Sequence, residues 1–343
     1  MTEIGYVLSS EEHGPRELVL HARLAADAGI GCAAVSDHFH PWLDEQGQGP
    51  HAWTVIGAVA DRAPLALCTM VTCPILRNHP VLIAHAAATA SLLLNGRFEL
   101  GVGTGERLNE HVLGGRWPTQ IERLDMLAEA VAVMRLLWTG ENINFGGVYY
   151  TVEDARLYSV PPIAPLVPMS AFGNTSADAA ARIADGFMSA RPDRVLLQRY
   201  RSAGGRGCAS AMVKICWGPD ADDCVRTAHR LWRSTGLPST LGQELRLPDD
   251  FDSAAELVTA DSLAREIVCG PDPEPIAAMV GRYVDAGFNR VFLHQIGPNQ
   301  RAFLDFFQKE LVPALADVGA APDPDASTFD QPAPAGATRA GVR

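Results

Sequence analysis

Two stretches of this chain gather side chains that can hold or move a proton. SDHFHPW, Ser36 to Trp42, places Asp37, His38, His40 and Trp42 directly behind the apolar run CAAV. GVGTGERLNE, Gly101 to Glu110, places Glu106 and Asn109 behind a second apolar run, FEL. An imidazole and a carboxylate held in different surroundings can be tuned apart, one as base and the other as acid. Glu11 follows Ser9 and Ser10 at the end of a third run, IGYVLS, and His294 closes a fourth, RVFLH. Plainer readings exist for each. Asp37 could cap a turn, His38 could be a hydrogen-bonded core histidine, and Glu106 could favour a helix N-terminus. His38 and His40 also form an H-x-H pair of the kind that binds zinc, but no further cluster of ligands completes a set. Gly101, Gly103 and Gly105 resemble a dinucleotide fingerprint only weakly, because Glu106 stands where its last glycine would be. They still leave backbone N–H groups open to an anion.

What must position these residues is an alternation of short apolar runs and longer amphipathic ones. Strands are expected at 4–9, 32–36, 65–71, 98–103, 167–171, 186–190, 210–217 and 290–294, each followed by helical sequence. Helices are expected at 15–28, 52–62, 80–94, 120–138, 176–184, 193–202, 220–233, 261–268, 273–286 and 300–316. The strand runs are continuously apolar, as in a parallel sheet covered on both faces. Eight such units predict an α/β fold, a (β/α)8 TIM barrel, with chemistry at the C-terminal ends of its strands. GGVYYTV at 146–152 reads as a hairpin arm within an insertion near 139–166, and 237–260 as a polar, irregular insertion. The barrel domain is expected over 1–319, and the Ala/Pro-rich 320–343 as a disordered tail.

The formal net charge of -12 speaks against a nucleic-acid partner, since phosphate binding needs clustered Lys and Arg. No run is long enough for a membrane span, and MTEIGYVLSS lacks the features of a secretory leader. Seven scattered cysteines, none in C-x-x-C spacing, fit reduced thiols in a cytoplasm.

SDHFHPW, VTCP followed by NHPVLIAHAAAT, GRFELGVGTGERLNEHVLG, WTGENINFGGVYY and DAGFNRVFLHQIGPNQRAFLDFF together resemble the luciferase-like flavin and deazaflavin oxidoreductases. Within them the chain is most similar to the group of coenzyme F420-dependent glucose-6-phosphate dehydrogenases, over about residues 3–319. The resemblance implies a luciferase-like barrel, a homodimer, coenzyme F420 across the strand ends and a small-molecule substrate. It makes His38 the base for the substrate hydroxyl and Glu106 the acid for the cofactor ring nitrogen. Trp42 and Glu11 would line the substrate side, and Asp37 would contact the deazaflavin. Thr104, Gly105 and Asn109 would hold its ring and linker, and Met70-Val71 would form a non-proline cis peptide behind the ring.

The departures concern the substrate. Cys73 stands where the sugar-phosphate enzymes have threonine, and Phe172-Gly173 where they have two glycines. Ala190 and Asp193 replace a threonine and a lysine that bind the sugar phosphate, and Leu245 replaces a second lysine. Arg265 is kept, and Arg191 and Arg194 could compensate. A phosphate dianion wants several charge-assisted donors, so a substrate other than glucose 6-phosphate is expected. The direction could be alcohol oxidation, or reduction of a C=C, C=N or nitroaromatic group. An FMN-dependent monooxygenase on the same fold, a metal hydrolase and a cofactor carrier are the alternatives.

Overall fold

The computed structural model describes residues 2–316 and 318. Its strands are β1 (Glu3–Leu8), β2 (Cys32–Val35), β3 (Ala66–Thr69), β4 (Phe98–Glu99), β5 (Ile143–Gly146), β6 (Thr151–Ala155), β7 (Pro168–Ser170), β8 (Gly186–Ser189), β9 (Ala209–Cys216), β10 (Ile267–Cys269) and β11 (Arg290–Gln295). One sheet runs β4-β3-β2-β1-β11-β9-β8-β7, every pair parallel. Backbone bonds from Leu100 N to Leu166 O, from Val102 N to Pro168 O and from Ser170 N to Val102 O bring its two edges together. The result is the expected eight-stranded (β/α)8 barrel. The tail expected at 320–343 lies outside the described residues.

The helices follow from local chemistry. Pro15 opens the first, Pro15–Asp27, where a missing N–H does no harm, and Gly29 at φ +87° turns the chain out of it. Thr119 caps Gln120–Leu137 through Glu122 N, and the Glu122 carboxylate reaches back to Thr119 N.

Three expectations need correction. The helix expected at 261–268 covers only Ala260–Leu263, and Ile267–Cys269 is the strand β10 instead. β8 pairs with β9 only through Ala211, which leaves Lys214–Cys216 open on that side, and β10 takes the vacant edge. The hairpin arm is real, but Gly147 to Tyr150 form its turn while β5 and β6 flank them. The segment 237–260 is not irregular: Ser239–Gly242 and Pro248–Ala254 are helical, and Phe251 packs with Leu43 and Leu108.

The interior of the barrel is layered. At the N-terminal end Arg290 is fully buried and pairs with Glu3 and with Glu99 at 2.8 Å. Above it Val7, Cys32, Ala34, Ala66, Cys68, Met188 and Phe292 form a dry middle, with Met212 against them. Gly5 is small because Phe292 is large: a Cβ there would lie 2.3 Å from the Phe292 ring. Register then carries β9 and β11 from Met212 and Phe292 to Lys214 and His294, two residues nearer the C-terminal end on the same face. The polar top layer begins there.

Candidate active site

Asp37 leaves β2 buried, with both carboxylate oxygens in use. Thr72 donates its hydroxyl to Oδ2 at 2.7 Å, and Arg77 donates Nη2 to Oδ1 at 3.0 Å and to the Asp37 carbonyl at 3.2 Å. Arg77 also reaches Glu110: its backbone N–H donates to Oε2 at 2.8 Å, and Nε stands 3.7 Å from Oε1. Burial pushes the Glu110 carboxyl up to about 7 despite the arginine beside it. Arg77 and Glu110 carry no sequence signal. Arg77 sits 40 positions from Asp37, and no spacing rule links them.

His38 is held from three sides. Its Nε2 faces Glu11 Oε1 at 3.5 Å. Its Nδ1 lies 3.1 Å from the His40 carbonyl and 3.0 Å from Asn109 Nδ2. An acceptor and a donor are thus both in reach of Nδ1, so the ring is supported whether that nitrogen carries a proton or not. Glu11 in turn accepts from the Ser9 and Ser36 hydroxyls at 3.0 and 2.7 Å. Burial alone would raise its carboxyl, but the His38 ring and the Ser36 hydroxyl outweigh that and hold it below the usual range. Glu11 is therefore poised as a carboxylate behind the imidazole. Trp42 lies against His38, ring centroids 5.0 Å apart, and meets Phe251 of the second insertion edge to face at 5.2 Å.

Asn109 does more than its position suggested. Its Oδ1 accepts from Phe39 N at 2.8 Å and His40 N at 3.0 Å, and it is 2% exposed. Its amide is spent on the His38 loop, so it positions that loop. His40, second of the H-x-H pair, turns to the Leu108 carbonyl at 3.0 Å and stacks on His111.

Glu106 stands at the head of the short helix Arg107–Glu110, half-buried, and its carboxylate makes no hydrogen bond or ion pair with a described residue. Thr104 and Gly105 beside it are equally accessible. Gly105 has φ +73°, and a Cβ there would lie 2.8 Å from Glu110 Cγ. Gly103 would meet Val71 Cγ2 at 2.7 Å and Ser170 Oγ at 3.0 Å. These close approaches, more than anion binding, explain the glycines. Met70-Val71 is a cis peptide, as the resemblance implied. Cys73 is buried under the glycine loop, and burial pushes its thiol well above the ordinary value. Phe172 is exposed and Gly173 opens the helix Asn174–Ile183, where a Cβ on Gly173 would meet nothing within 4 Å. The phenylalanine leaves that helix end accessible.

The three arginines do not all meet in one place. Arg191 and Arg265 line one cleft of about 210 Å³, with Asp193, Glu266 and Arg282. Arg194 donates to the Asp285 carbonyl instead. A second acid–imidazole pair sits beside the first: Glu12 faces His294 Nε2 at 3.1 Å and accepts from Trp232 Nε1 and Gly297 N, each at 2.7 Å.

The Luciferase-like monooxygenase family matches residues 1–290. The chain belongs to this family. An F420-dependent glucose-6-phosphate dehydrogenase of Mycolicibacterium fortuitum is 36% identical over 92% of this chain and 99% of its own length. That of Mycobacterium tuberculosis (strain ATCC 25618 / H37Rv) is 35% identical over the same shares. An F420-dependent secondary alcohol dehydrogenase, solved in complex with an F420-acetone adduct, superposes with a TM-score of 0.86 at 31% identity, covering 92% of this chain and 99% of that one. The F420-dependent tetrahydromethanopterin reductase of Methanopyrus kandleri shares the luciferase-like barrel, with a TM-score of 0.76 at 18% identity over 92% and 99% of the two chains.

Proposed function

We propose that this luciferase-like chain is an F420-dependent oxidoreductase that moves a hydride between the deazaflavin and a small alcohol other than glucose 6-phosphate. The observation that carries the reading is the pairing, across the strand ends, of a Glu11-backed imidazole at His38 with an uncommitted carboxylate at Glu106. The bound deazaflavin supplies the hydride acceptor and donor.

The chain's own residues fit that group. The loop Gly103 to Glu106 approaches Val71 and Ser170 so closely that no side chain larger than hydrogen fits at Gly103, which leaves a shallow backbone shelf. Thr104 and Gly105 are part of that loop and partly accessible, Val71 packs behind Gly103, and Ser170, on the strand that leads to the helix Asn174–Ile183, is bonded alongside at Val102. Asp37 enters with its charge already matched by Arg77. His38 takes the substrate hydroxyl proton at Nε2. Glu11 stabilises the imidazolium there, and the His40 carbonyl accepts from Nδ1. Glu106 gives or takes the proton on the cofactor side. Trp42 and the second insertion cover His38 and exclude water from it.

The cleft lined by Arg191 and Arg265 also holds Asp193 and Glu266. With Arg282 the cleft sets three guanidiniums against two carboxylates, which leaves little net positive charge for a phosphate dianion and supports a substrate without one. Fluorescence titration with deazaflavin and, separately, FMN tests the reading. Deazaflavin is expected to bind at micromolar or tighter concentrations. A screen of alcohols should then bleach its absorbance, while glucose 6-phosphate does not. Preference for FMN, with oxygen uptake, would overturn it in favour of a monooxygenase.

A further inference from the structure

Lys214 is a charge inside the barrel for which the proton chemistry above has no use. Register sets it on the same face of β9 as Met212, which packs into the dry middle layer, and next to His294 on β11. Its amine lies over the Trp232 ring, 4.6 Å from the centroid. It makes no hydrogen bond and no ion pair with any described residue. The nearby carboxylates do not need it. Glu11 is taken by two serine hydroxyls and His38, and Glu12 by His294, Trp232 and the Gly297 amide. Lys214 is partly exposed, so its amine still reaches the solvent of the mouth, while Trp232 offers it only a ring face. Burial drives the amine down to about 8, against the pull of Glu11, Glu266 and Glu12. Such a group has no acceptor among the described residues and lies on the wall of the mouth that holds Glu11 and His38.

We infer that Lys214 binds an oxygen of the substrate other than the reacting hydroxyl, so that the preferred alcohols carry a second oxygen function, as vicinal diols and 2-hydroxy acids do. This rests on the function proposed above and names the substrate class of the same site. Trp232 holds the lysine stem and head in place, and its own N–H is anchored on Glu12. The amine is thus preorganised for a ligand oxygen and loses little freedom on binding. A plain secondary alcohol would leave the amine to water and gain nothing from it, whereas a second oxygen would take a charge-assisted bond.

The test compares the wild type with Lys214→Met, and with Lys214→Arg as the variant that keeps the charge. Three matched substrates are used: propan-2-ol, propane-1,2-diol and lactate. With Lys214→Met, kcat/KM for the diol or for lactate is expected to fall at least tenfold, mostly in KM, while that for propan-2-ol changes less than threefold. Lys214→Arg should recover part of the loss. The diol arm and the lactate arm separate a hydroxyl from a carboxylate partner. Equal falls for all three substrates, or none for any, would overturn the inference. Calorimetric titration of each protein with lactate and with propane-1,2-diol gives a readout free of turnover. Binding lost in Lys214→Met supports the inference even if no alcohol is oxidised, and binding of neither ligand to the wild type overturns it. Deazaflavin titration of the same proteins tests the underlying reading by itself, because Lys214→Met should leave that affinity unchanged.

Discussion

Asn109→Ala separates two accounts of that residue. If Asn109 mainly touched the cofactor, its loss would weaken cofactor binding and spare the chemical step. The structure gives it another task. Its carbonyl accepts from Phe39 N and His40 N, and its amide meets His38 Nδ1. Alanine strands two backbone N–H groups in a place where the asparagine is 2% exposed. Each stranded donor costs about 1–3 kcal/mol, and water entering the hole would return part of that. A net local loss of roughly 3 kcal/mol is spread over the loop that carries His38. At about 1.4 kcal/mol per tenfold, this is a hundredfold fall in kcat when His38 must reach its productive orientation against it. Global stability should drop by only a few degrees in Tm, because the loop is a small part of a chain this long. The assay is steady-state bleaching of the deazaflavin absorbance at pH 7 with saturating alcohol, beside fluorescence titration of the cofactor. Expected is a loss of around a hundredfold in kcat with cofactor affinity within threefold of wild type. Asn109→Asp keeps both backbone bonds but faces Nδ1 with an acceptor, so it should keep the loop and shift the pH profile of kcat upward. If Asn109→Ala retains kcat within twofold while cofactor affinity collapses, the positioning argument is wrong.

Arg77→Met should destabilise by about 3–5 kcal/mol in denaturant unfolding at pH 8, since it leaves the buried Asp37 and Glu110 without their counter-charge; a change under 1 kcal/mol would refute the pairing. Gly105→Ala meets both a left-handed φ and Glu110 Cγ at 2.8 Å, so cofactor affinity should fall roughly tenfold, for a strain of about 1–3 kcal/mol. Glu110 ionises in the unfolded chain near 4.5 and in the fold at about 7. The folded state therefore holds the extra proton between those values, and this group makes stability fall as pH rises from 4.5 to 7. Glu110→Gln should flatten that part of the stability–pH curve, and an unchanged slope would show that another group carries it. Lys214 loses its charge above about 8, so preference for lactate over propan-2-ol should decline as pH passes that point.

The parts of this molecule that a linear pattern can encode were legible. Eight apolar runs with helical sequence between them specify the barrel, because a doubly covered parallel strand needs continuous apolar residues. The ends of those runs then place Glu11, His38, Glu106 and His294 at one mouth. What escaped was set by geometry between strands. β10 is only Ile267–Cys269, too short for any period, and exists because β8 stops short and leaves Lys214–Cys216 unpaired. Arg77 sits in a turn, and nothing in ILRNHP says that Asp37 and Glu110 will come to it from either side. Spacing is as silent about Arg194: it stands three positions from Arg191, yet the first turn of the helix Arg194–Ser202 sends it to the Asp285 carbonyl while Arg191 lines a cleft with Arg265.

The layering of the barrel gives a reason to separate structural from working charges. At the closed end Arg290 is fully buried and meets Glu3 and Glu99, so its charge is matched within the fold. The Asp37–Arg77–Glu110 triad beside the mouth is matched in the same way, across three separate segments of chain. Such groups pin segments to one another, and their loss is felt as stability. At the open end the matching stops one partner short. Glu11 is bound to a histidine whose charge depends on its own proton. Among the described residues Glu106 has no ion-pair partner, and the Lys214 amine has only an aromatic face. A fold that pairs its deepest arginine has the means to pair a lysine two layers higher. That it leaves this amine and the Glu106 carboxylate without a charged partner among the described residues supports the proposal that their partners arrive with the ligand.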